Sequence, residues 1–168
     1  MAQTIKTKSV MWNGKKYEIK FTDENYKEFL KEATICKLNG WDFDKMLRRL
    51  PSYMREGWPE MAAKAFAEVS PTIEVGLPAT EILWSDRRAK TIIKVISPKE
   101  IVVQENETEC IDYYAGDYKI LPQLATYMGE ETYTLRRNGT WVAKGQPKKN
   151  GSVVLIVGMH NHYIDPSF

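Results

Sequence analysis

The spacing of hydrophobic residues along the chain changes near Pro71. Before this residue, hydrophobic positions recur every three or four residues, which is the period of an amphipathic helix. After it they alternate with polar positions in short runs interrupted by Gly, Pro and Asn-Gly pairs, a pattern typical of antiparallel strands. The pattern therefore predicts a hairpin-plus-helical unit over residues 1–70 and an antiparallel β domain over residues 71–168.

In the first unit, residues 4–21 predict a β-hairpin around Asn13-Gly14, because both turn positions of a two-residue type I′ turn need positive φ. Hydrophobic stripes, capping residues and prolines then predict three helices. These run from Thr22 or Asp23 to about Leu38, from Asp42 to Pro51, and from Pro59 to Val69.

In the second unit, turn residues separate many short alternating segments. Strands are predicted near residues 80–84, 89–97, 100–105, 108–114, 131–137, 140–144 and 152–157, with a loop over 115–130. Short antiparallel strands at this spacing are typical of a small barrel or rolled sheet, and an SH3-like barrel fits best. The predicted class is α+β.

Composition excludes some functions and leaves many open. The chain has 168 residues, 43% of them hydrophobic and 27% charged, and a net charge of +2. An acidic DNA mimic would be strongly negative, and a strong nonspecific nucleic-acid binder would usually be more basic. We find no apolar leader and no apolar run of membrane-spanning length, and the two cysteines, Cys36 and Cys110, indicate reduced residues in or near a core. A cytoplasmic protein without a cofactor is expected.

Two segments of the β domain combine tryptophan with arginine. Trp84 precedes Ser85-Asp86-Arg87-Arg88 at a connection between predicted strands. An arginine beside a tryptophan can stack on the ring and still offer its guanidinium to a phosphate or carboxylate. Alternatively, Asp86 pairs with an arginine or caps the turn, and the segment is purely structural.

The second such segment is the predicted hairpin from Arg136 to Trp141. Strand alternation puts Arg136 and Arg137 on opposite faces, so only one of them joins a given patch. Basic residues follow it, which makes this end a candidate for phosphate contacts, although a solvated hairpin end is the alternative. The predicted partner surface consists of Trp84, Asp86, Arg87, Arg88, Arg136, Trp141 and Lys144.

The helical unit also permits a DNA-binding interpretation. Asn39-Gly40-Trp41 is a short glycine-containing connection between helices, as in a helix-turn-helix. The early end of the second helix at Pro51 argues against it. The candidate phosphate contacts are Lys45, Arg48, Arg49 and Arg55, with Lys148 and Lys149 from the β domain.

Catalytic or metal chemistry has little support. His160 and His162 would share a face of a strand, and Asp165 could add a carboxylate, but zinc sites use three or four ligands and neither cysteine is near in sequence. The alternative is a polar C-terminal tail that docks on the barrel. Neither a glycine-rich phosphate loop after a strand nor a nucleophile elbow occurs, so we expect a non-enzymatic protein.

Residues 73–168 resemble a family of small proteins encoded by phages and mobile elements. The segments that carry the resemblance are Val75-Gly76, Trp84–Arg87, Thr91–Val95, Val102–Gln104, Thr134–Val142 and Tyr163–Phe168. Accessory phage proteins of this size often counter host defence. The resemblance implies a host defence protein or nucleoprotein complex as partner, for example a CRISPR nuclease or its guide complex that the chain inhibits.

Two other functions stay open. One is a helix-turn-helix-type DNA-binding regulator, which would need the helical unit. The other is an anti-defence sponge that sequesters a cyclic nucleotide, which would need a pocket with aromatic rings and arginines. Oligomeric state does not follow from the sequence.

Overall fold

The computed structural model describes residues 6–146 and 154–167 and contains, within them, four α-helices and nine β-strands. Its contacts divide the chain into two compact units. The first comprises Met1–Lys37 and Trp41–Pro71, and the second comprises Leu38–Gly40 and Thr72–Phe168. No helix in the described part of the chain is long and apolar enough to span a membrane.

The first unit begins with a hairpin of β1 (Lys6–Trp12) and β2 (Lys15–Phe21). Asn13 and Gly14 have φ angles of 49° and 72°, as a type I′ turn requires, so the predicted hairpin is confirmed. Helix α1 (Asp23–Leu38) follows. Thr22 caps it reciprocally: its Oγ1 accepts the Asn25 N–H at 3.3 Å, and its own N–H donates to Asn25 Oδ1 at 3.0 Å.

Three further helices follow, so the described part of this unit has four helices, one more than predicted. They are α2 (Phe43–Arg49), α3 (Ser52–Gly57) and α4 (Pro59–Glu68). Asp42 caps α2 as predicted, since its Oδ1 accepts the Lys45 N–H at 2.8 Å. Pro51 lacks an N–H and ends α2, but the chain resumes a short helix directly after it. Buried side chains of all these elements form the core, among them Phe21, Phe29, Cys36, Met46, Trp58 and Ala65.

The described residues of the second unit form seven strands. These are β3 (Pro78–Ile82), β4 (Arg87–Ser97), β5 (Glu100–Asp112), β6 (Asp117–Leu124), β7 (Glu131–Leu135), β8 (Trp141–Ala143) and β9 (Val154–Val157). All pairings are antiparallel, in the order β4-β3-β9-β8-β7-β5, and β5 also pairs with β4. Six strands therefore close into a barrel, which confirms the α+β class; an SH3-like subtype stays a prediction.

Strand β5 is longer than predicted. The segments expected at 100–105 and 108–114 form one strand of 13 residues. Its first part belongs to the barrel, and its second part pairs with β6, which lies in the predicted loop 115–130. Strand β6 contains Pro122 and has only β5 as a neighbour among the described strands, and an edge position tolerates proline.

The last residue of α1, Leu38, and the two residues after it, Asn39 and Gly40, belong to the barrel unit. Asn39 is fully buried, its Nδ2 donates to the Val157 carbonyl at 2.8 Å, and its Oδ1 accepts the Val157 N–H at 3.0 Å. The amide side chain thus pairs with a residue of β9 as a neighbouring strand would, because β8 ends before it reaches Val157.

The barrel interior is apolar over most of its length. Directly paired residues point to the same face, so the register identifies the inward set. Its buried apolar members are Ala79, Ile92, Ile101, Val103, Tyr133, Trp141, Leu155 and Val157.

Candidate functional site

The connection between β3 and β4 displays one tryptophan. Trp84 is 95% exposed, the highest exposure among the large hydrophobic residues described. The turn beneath it is fixed by a backbone bond from Leu83 N–H to the Asp86 carbonyl at 3.0 Å. Arg87 Nη1 donates to the same Asp86 carbonyl at 2.8 Å. The Trp84 indole therefore projects from a turn whose backbone is fixed by two hydrogen bonds to the Asp86 carbonyl.

The C-terminal segment is attached to this turn. Backbone bonds join Arg87 and Tyr163 in both directions, at 2.7 and 2.9 Å. Asp86 Oδ1 accepts the Asp165 N–H at 3.0 Å, and this bond holds the pKa of the Asp86 carboxyl below its usual value. The interpretation of Asp86 as a turn-stabilising residue is thereby supported. The predicted docking of the polar tail on the barrel is also seen.

The β5–β6 turn approaches the same segment. A Cβ added at Gly116 would collide with the ring of Tyr163, and Gly116 has a φ of 65°, so glycine is required there for two reasons. Next to this turn, Tyr114 is 88% exposed. The turns that carry Trp84 and Tyr114 therefore both contact the C-terminal segment.

Between these elements lies a depression of about 560 Å³, which we call the ring-lined groove. Four of its lining residues carry aromatic or imidazole rings, and Arg87 and Asn161 add polar groups. The ring-bearing residues are Tyr118, His160, His162 and Tyr163. The rings of Tyr118 and His162 pack edge to face, with centroids 4.9 Å apart.

Both histidines have lowered pKa values, mainly because burial disfavours the charged imidazole. The nearby Arg88 guanidinium lowers the pKa of His162 further. His162 Nδ1 accepts the Ala89 N–H at 3.4 Å, while its Nε2 is buried and lacks a hydrogen-bond partner in the described structure. Within residues 6–146 and 154–167 no three His, Cys, Asp or Glu side chains gather as metal ligands, so the pair has no third ligand there.

A second polar site lies inside the barrel, at the end where β3 leads into the Trp84 turn. Lys90 is only 1% exposed, and its Nζ lies 2.9 Å from Glu131, 3.2 Å from Glu81 and 3.8 Å from Glu105. Arg88 lies 3.8 Å from Glu105. We call these five residues the Lys90 cluster.

Burial governs the protonation of this cluster. It raises the pKa of the Glu105 carboxyl, and the Lys90 charge opposes that rise. Burial and the carboxylates of Glu81 and Glu131 raise the pKa of Tyr133, whose hydroxyl donates to Glu81 at 2.6 Å. Tyr133 stays a neutral donor to Glu81, and the Lys90 cluster beside it is an ion-pair network of one lysine, one arginine and three carboxylates.

Sequence reasoning missed the Lys90 cluster, although a signal was present. Lys90 alternates in step with Ile92, and Glu105 in step with Val103, so each charged residue falls on the strand face that also carries buried aliphatic residues. Charged residues on an inward face at the same height of a barrel are expected to pair.

The predicted partner surface is only partly assembled. Trp141 is fully buried between Leu135 and Leu155, so its assignment as an exposed contact is wrong. Its direct pairing with the inward-facing Leu135 across the hairpin directs it inward. Lys144 pairs with Glu100 at 2.7 Å and lines a different depression from Arg87.

The hairpin before Trp141 forms as predicted. Gly139 has a φ of 74°, and the Arg136 N–H bonds to the Thr140 carbonyl at 2.9 Å. Arg136 is half-buried, and its Nε is buried without a partner in the described structure, so it offers less of its guanidinium than a surface arginine would.

The basic residues of the helical unit are largely engaged. Arg49 pairs with Glu32 at 2.7 Å, Arg55 pairs with Glu56 at 3.2 Å, and Lys45 lies 5.3 Å from the Trp41 ring centroid. Arg48 is exposed. Lys148 and Lys149 lie outside the described residues.

The two cysteines differ in environment. Cys36 is buried, and burial raises the pKa of its thiol to about 11, so it is an unreactive core residue as predicted. Cys110 is exposed, and its prediction as a core or near-core residue is wrong. It lies in the part of β5 that extends beyond the barrel to pair with β6.

Comparisons with protein-family models, with curated proteins and with solved structures find no match to this chain. The assignment of candidate sites therefore rests on the geometry of the described residues.

Proposed function

We propose that this chain is a non-enzymatic binding protein whose partner contact is centred on Trp84. The observation that carries the proposal is the 95% exposure of this indole on a turn fixed by backbone and arginine hydrogen bonds. Exposing a large aromatic surface to water is unfavourable, and tryptophans on rigid surfaces are frequent hot spots of interfaces. The fixed turn lowers the entropy that ordering would cost on binding.

A second aromatic residue supports this location. Tyr114 is 88% exposed, and its turn contacts the same C-terminal segment as the Trp84 turn does. Two anchors at one end of the barrel suit a partner with apolar pockets. Arg87 and Arg88 are half-buried beside Trp84 and add positive charge at the edge of this contact.

We further propose that the partner belongs to a host defence system and that binding inhibits it, with a CRISPR nuclease or its guide complex as the first candidate. This step rests on the resemblance of residues 73–168 to phage and mobile-element proteins, and a cytoplasmic location of the partner follows from it. The DNA-reading alternative receives less support, because α2 has only 7 residues and Arg49 is already paired.

The test uses the full chain and purified CRISPR nucleases loaded with guide RNA. Biolayer interferometry measures binding, and cleavage of a labelled target DNA measures inhibition. We expect saturable binding to at least one nuclease, with loss of cleavage at equimolar protein. Trp84→Ala should weaken binding by roughly 30-fold or more, as removal of a hot-spot tryptophan does.

Tyr53→Ala is the matched control, because Tyr53 is a 51% exposed aromatic residue of the other unit. It should bind like the unchanged chain. Undiminished binding by a folded Trp84→Ala variant would contradict the proposed contact. Failure of the chain to bind or inhibit any nuclease in the panel would contradict the defence-inhibitor assignment.

A further inference from the structure

The ring-lined groove has the size and chemistry of a small-molecule site. Its volume of about 560 Å³ lies within the range of ligand pockets, which is roughly 300–1,000 Å³. Nucleobases stack on tyrosine, histidine and arginine planes, and stacking is independent of the base because every base has a π face.

The two histidines give the groove hydrogen-bonding capacity without charge. Because His162 Nδ1 accepts the Ala89 N–H, the proton of the neutral ring lies on Nε2, which is buried and unpartnered in the described structure. His162 as a whole is only 8% exposed. His160 Nε2 lies 2.9 Å from the Lys90 carbonyl, so it donates there and leaves Nδ1 as an acceptor. The pair therefore offers one donor and one acceptor.

Arg87 supplies the positive charge. Its Nη1 is fixed by backbone carbonyls, and none of the ion pairs between described residues includes it. A guanidinium held in place without a carboxylate partner is a preorganised group for a phosphate. Asp117 and Ser85 also line the groove. The Asp117 carboxylate can accept hydrogen bonds from ribose hydroxyls, and the Ser85 hydroxyl can accept or donate them.

We propose that the ring-lined groove binds a nucleoside monophosphate, with the base against the rings of Tyr118 and the histidines and the phosphate on Arg87. Trp84 does not line the groove, so this site shares Arg87 with the proposed partner contact but not its central tryptophan.

The experiment is isothermal titration of the full chain with the four 5′-ribonucleoside monophosphates. Adenosine, ribose 5-phosphate and inorganic phosphate are titrated as separate arms. We expect at least one nucleotide to bind saturably below about 1 mM, and at least tenfold more tightly than ribose 5-phosphate or inorganic phosphate.

Two variants locate the binding. Tyr118→Leu removes a half-buried ring but keeps an apolar side chain, and we expect it to weaken nucleotide binding by about 5- to 100-fold. Tyr127→Leu is the matched control, since Tyr127 is 76% exposed and does not line the groove. A ¹H–¹³C spectrum of the imidazole groups provides a second readout, in which His160 and His162 resonances should shift on nucleotide addition.

Three results would overturn the proposal. The first is the absence of saturable binding by all four nucleotides. The second is equal affinity for inorganic phosphate, which would mean that the rings read no base. The third is unchanged affinity in a Tyr118→Leu variant whose amide spectrum shows the native fold. Nucleotide binding that persists in Trp84→Ala would separate this site from the partner contact.

Discussion

Replacement of Lys90 by methionine tests whether the Lys90 cluster holds the barrel together. Methionine keeps most of the aliphatic stem, so the substitution removes a charge and leaves little empty volume. Without Lys90, Arg88 alone remains to compensate Glu81, Glu105 and Glu131, and it lies 3.8 Å from Glu105 with 38% of its side chain exposed. Three carboxylates would then face one distant cation.

The expected cost follows from burial. Removal of one partner from a buried ion pair costs about 3–5 kcal/mol, because an uncompensated charge stays in a low-dielectric environment. Lys90 is 1% exposed and Glu81 is 6% exposed at the side chain, but Glu131 is 39% exposed and water partly solvates it. The lower end of the range applies, so we expect a loss of about 3 kcal/mol in the free energy of unfolding at pH 7.

Urea unfolding followed by amide spectra measures this loss, with the Val103 amide reporting on the barrel. Lys94→Met is the matched control, because Lys94 is an exposed lysine on the same strand, and it should change stability by less than about 0.5 kcal/mol. The Lys90→Met penalty should also shrink as the pH is lowered through the carboxyl pKa values, because protonated carboxyls need no counter-charge. Equal effects of the two substitutions at pH 7 would refute the reasoning.

Two further predictions concern Glu105 and Asn39. The pKa of Glu105 is raised in the folded chain above its ordinary value of 4.5, so its contribution to stability is full below pH 4.5 and is lost as the pH rises through the raised pKa. The Glu105→Gln side chain stays neutral at every pH. Urea titrations should therefore show that the free energy of unfolding of this variant increases relative to that of the unchanged chain as the pH rises from 4 to 7. A difference between the two chains that does not change with pH would contradict this. Asn39→Ala leaves the buried N–H and carbonyl of Val157 unpaired, so it should lower the free energy of unfolding by about 2–4 kcal/mol in the same assay. The control is Asn161→Ala at an exposed asparagine, which should lower it by less than about 0.5 kcal/mol. Equal losses for the two asparagine variants would refute the strand-like role of Asn39.

Part of the candidate site was predictable because it depends on local chemistry. A structural role in the turn was one of the alternatives for Asp86, and its side chain does fix the Trp84 connection to the C-terminal segment. Trp84 was predicted to belong to a partner surface or to a purely structural turn, and the structure shows it 95% exposed. The expectation failed for Trp141, whose face depends on its pairing with Leu135 and Leu155.

The sequence alone determined the hairpin at Asn13-Gly14 and the cap of α2 at Asp42. Each of these depends on interactions between residues close in the chain, which the order of residue types specifies directly. The change of hydrophobic period likewise follows from which residues repeat, and it indicated the α+β class before any contact was known.

Only the tertiary structure decided which strands meet and what their inward faces bring together. The Lys90 cluster draws residues from β3, β4, β5 and β7, and the ring-lined groove joins the turns after β3 and β5 to the C-terminal segment. Alternation along a strand says which residues share a face, but the barrel closure between β4 and β5 decides which face becomes buried. Lys90 lies on a strand where a lysine would ordinarily face solvent, but the closed barrel places it at the centre of a buried network of carboxylates.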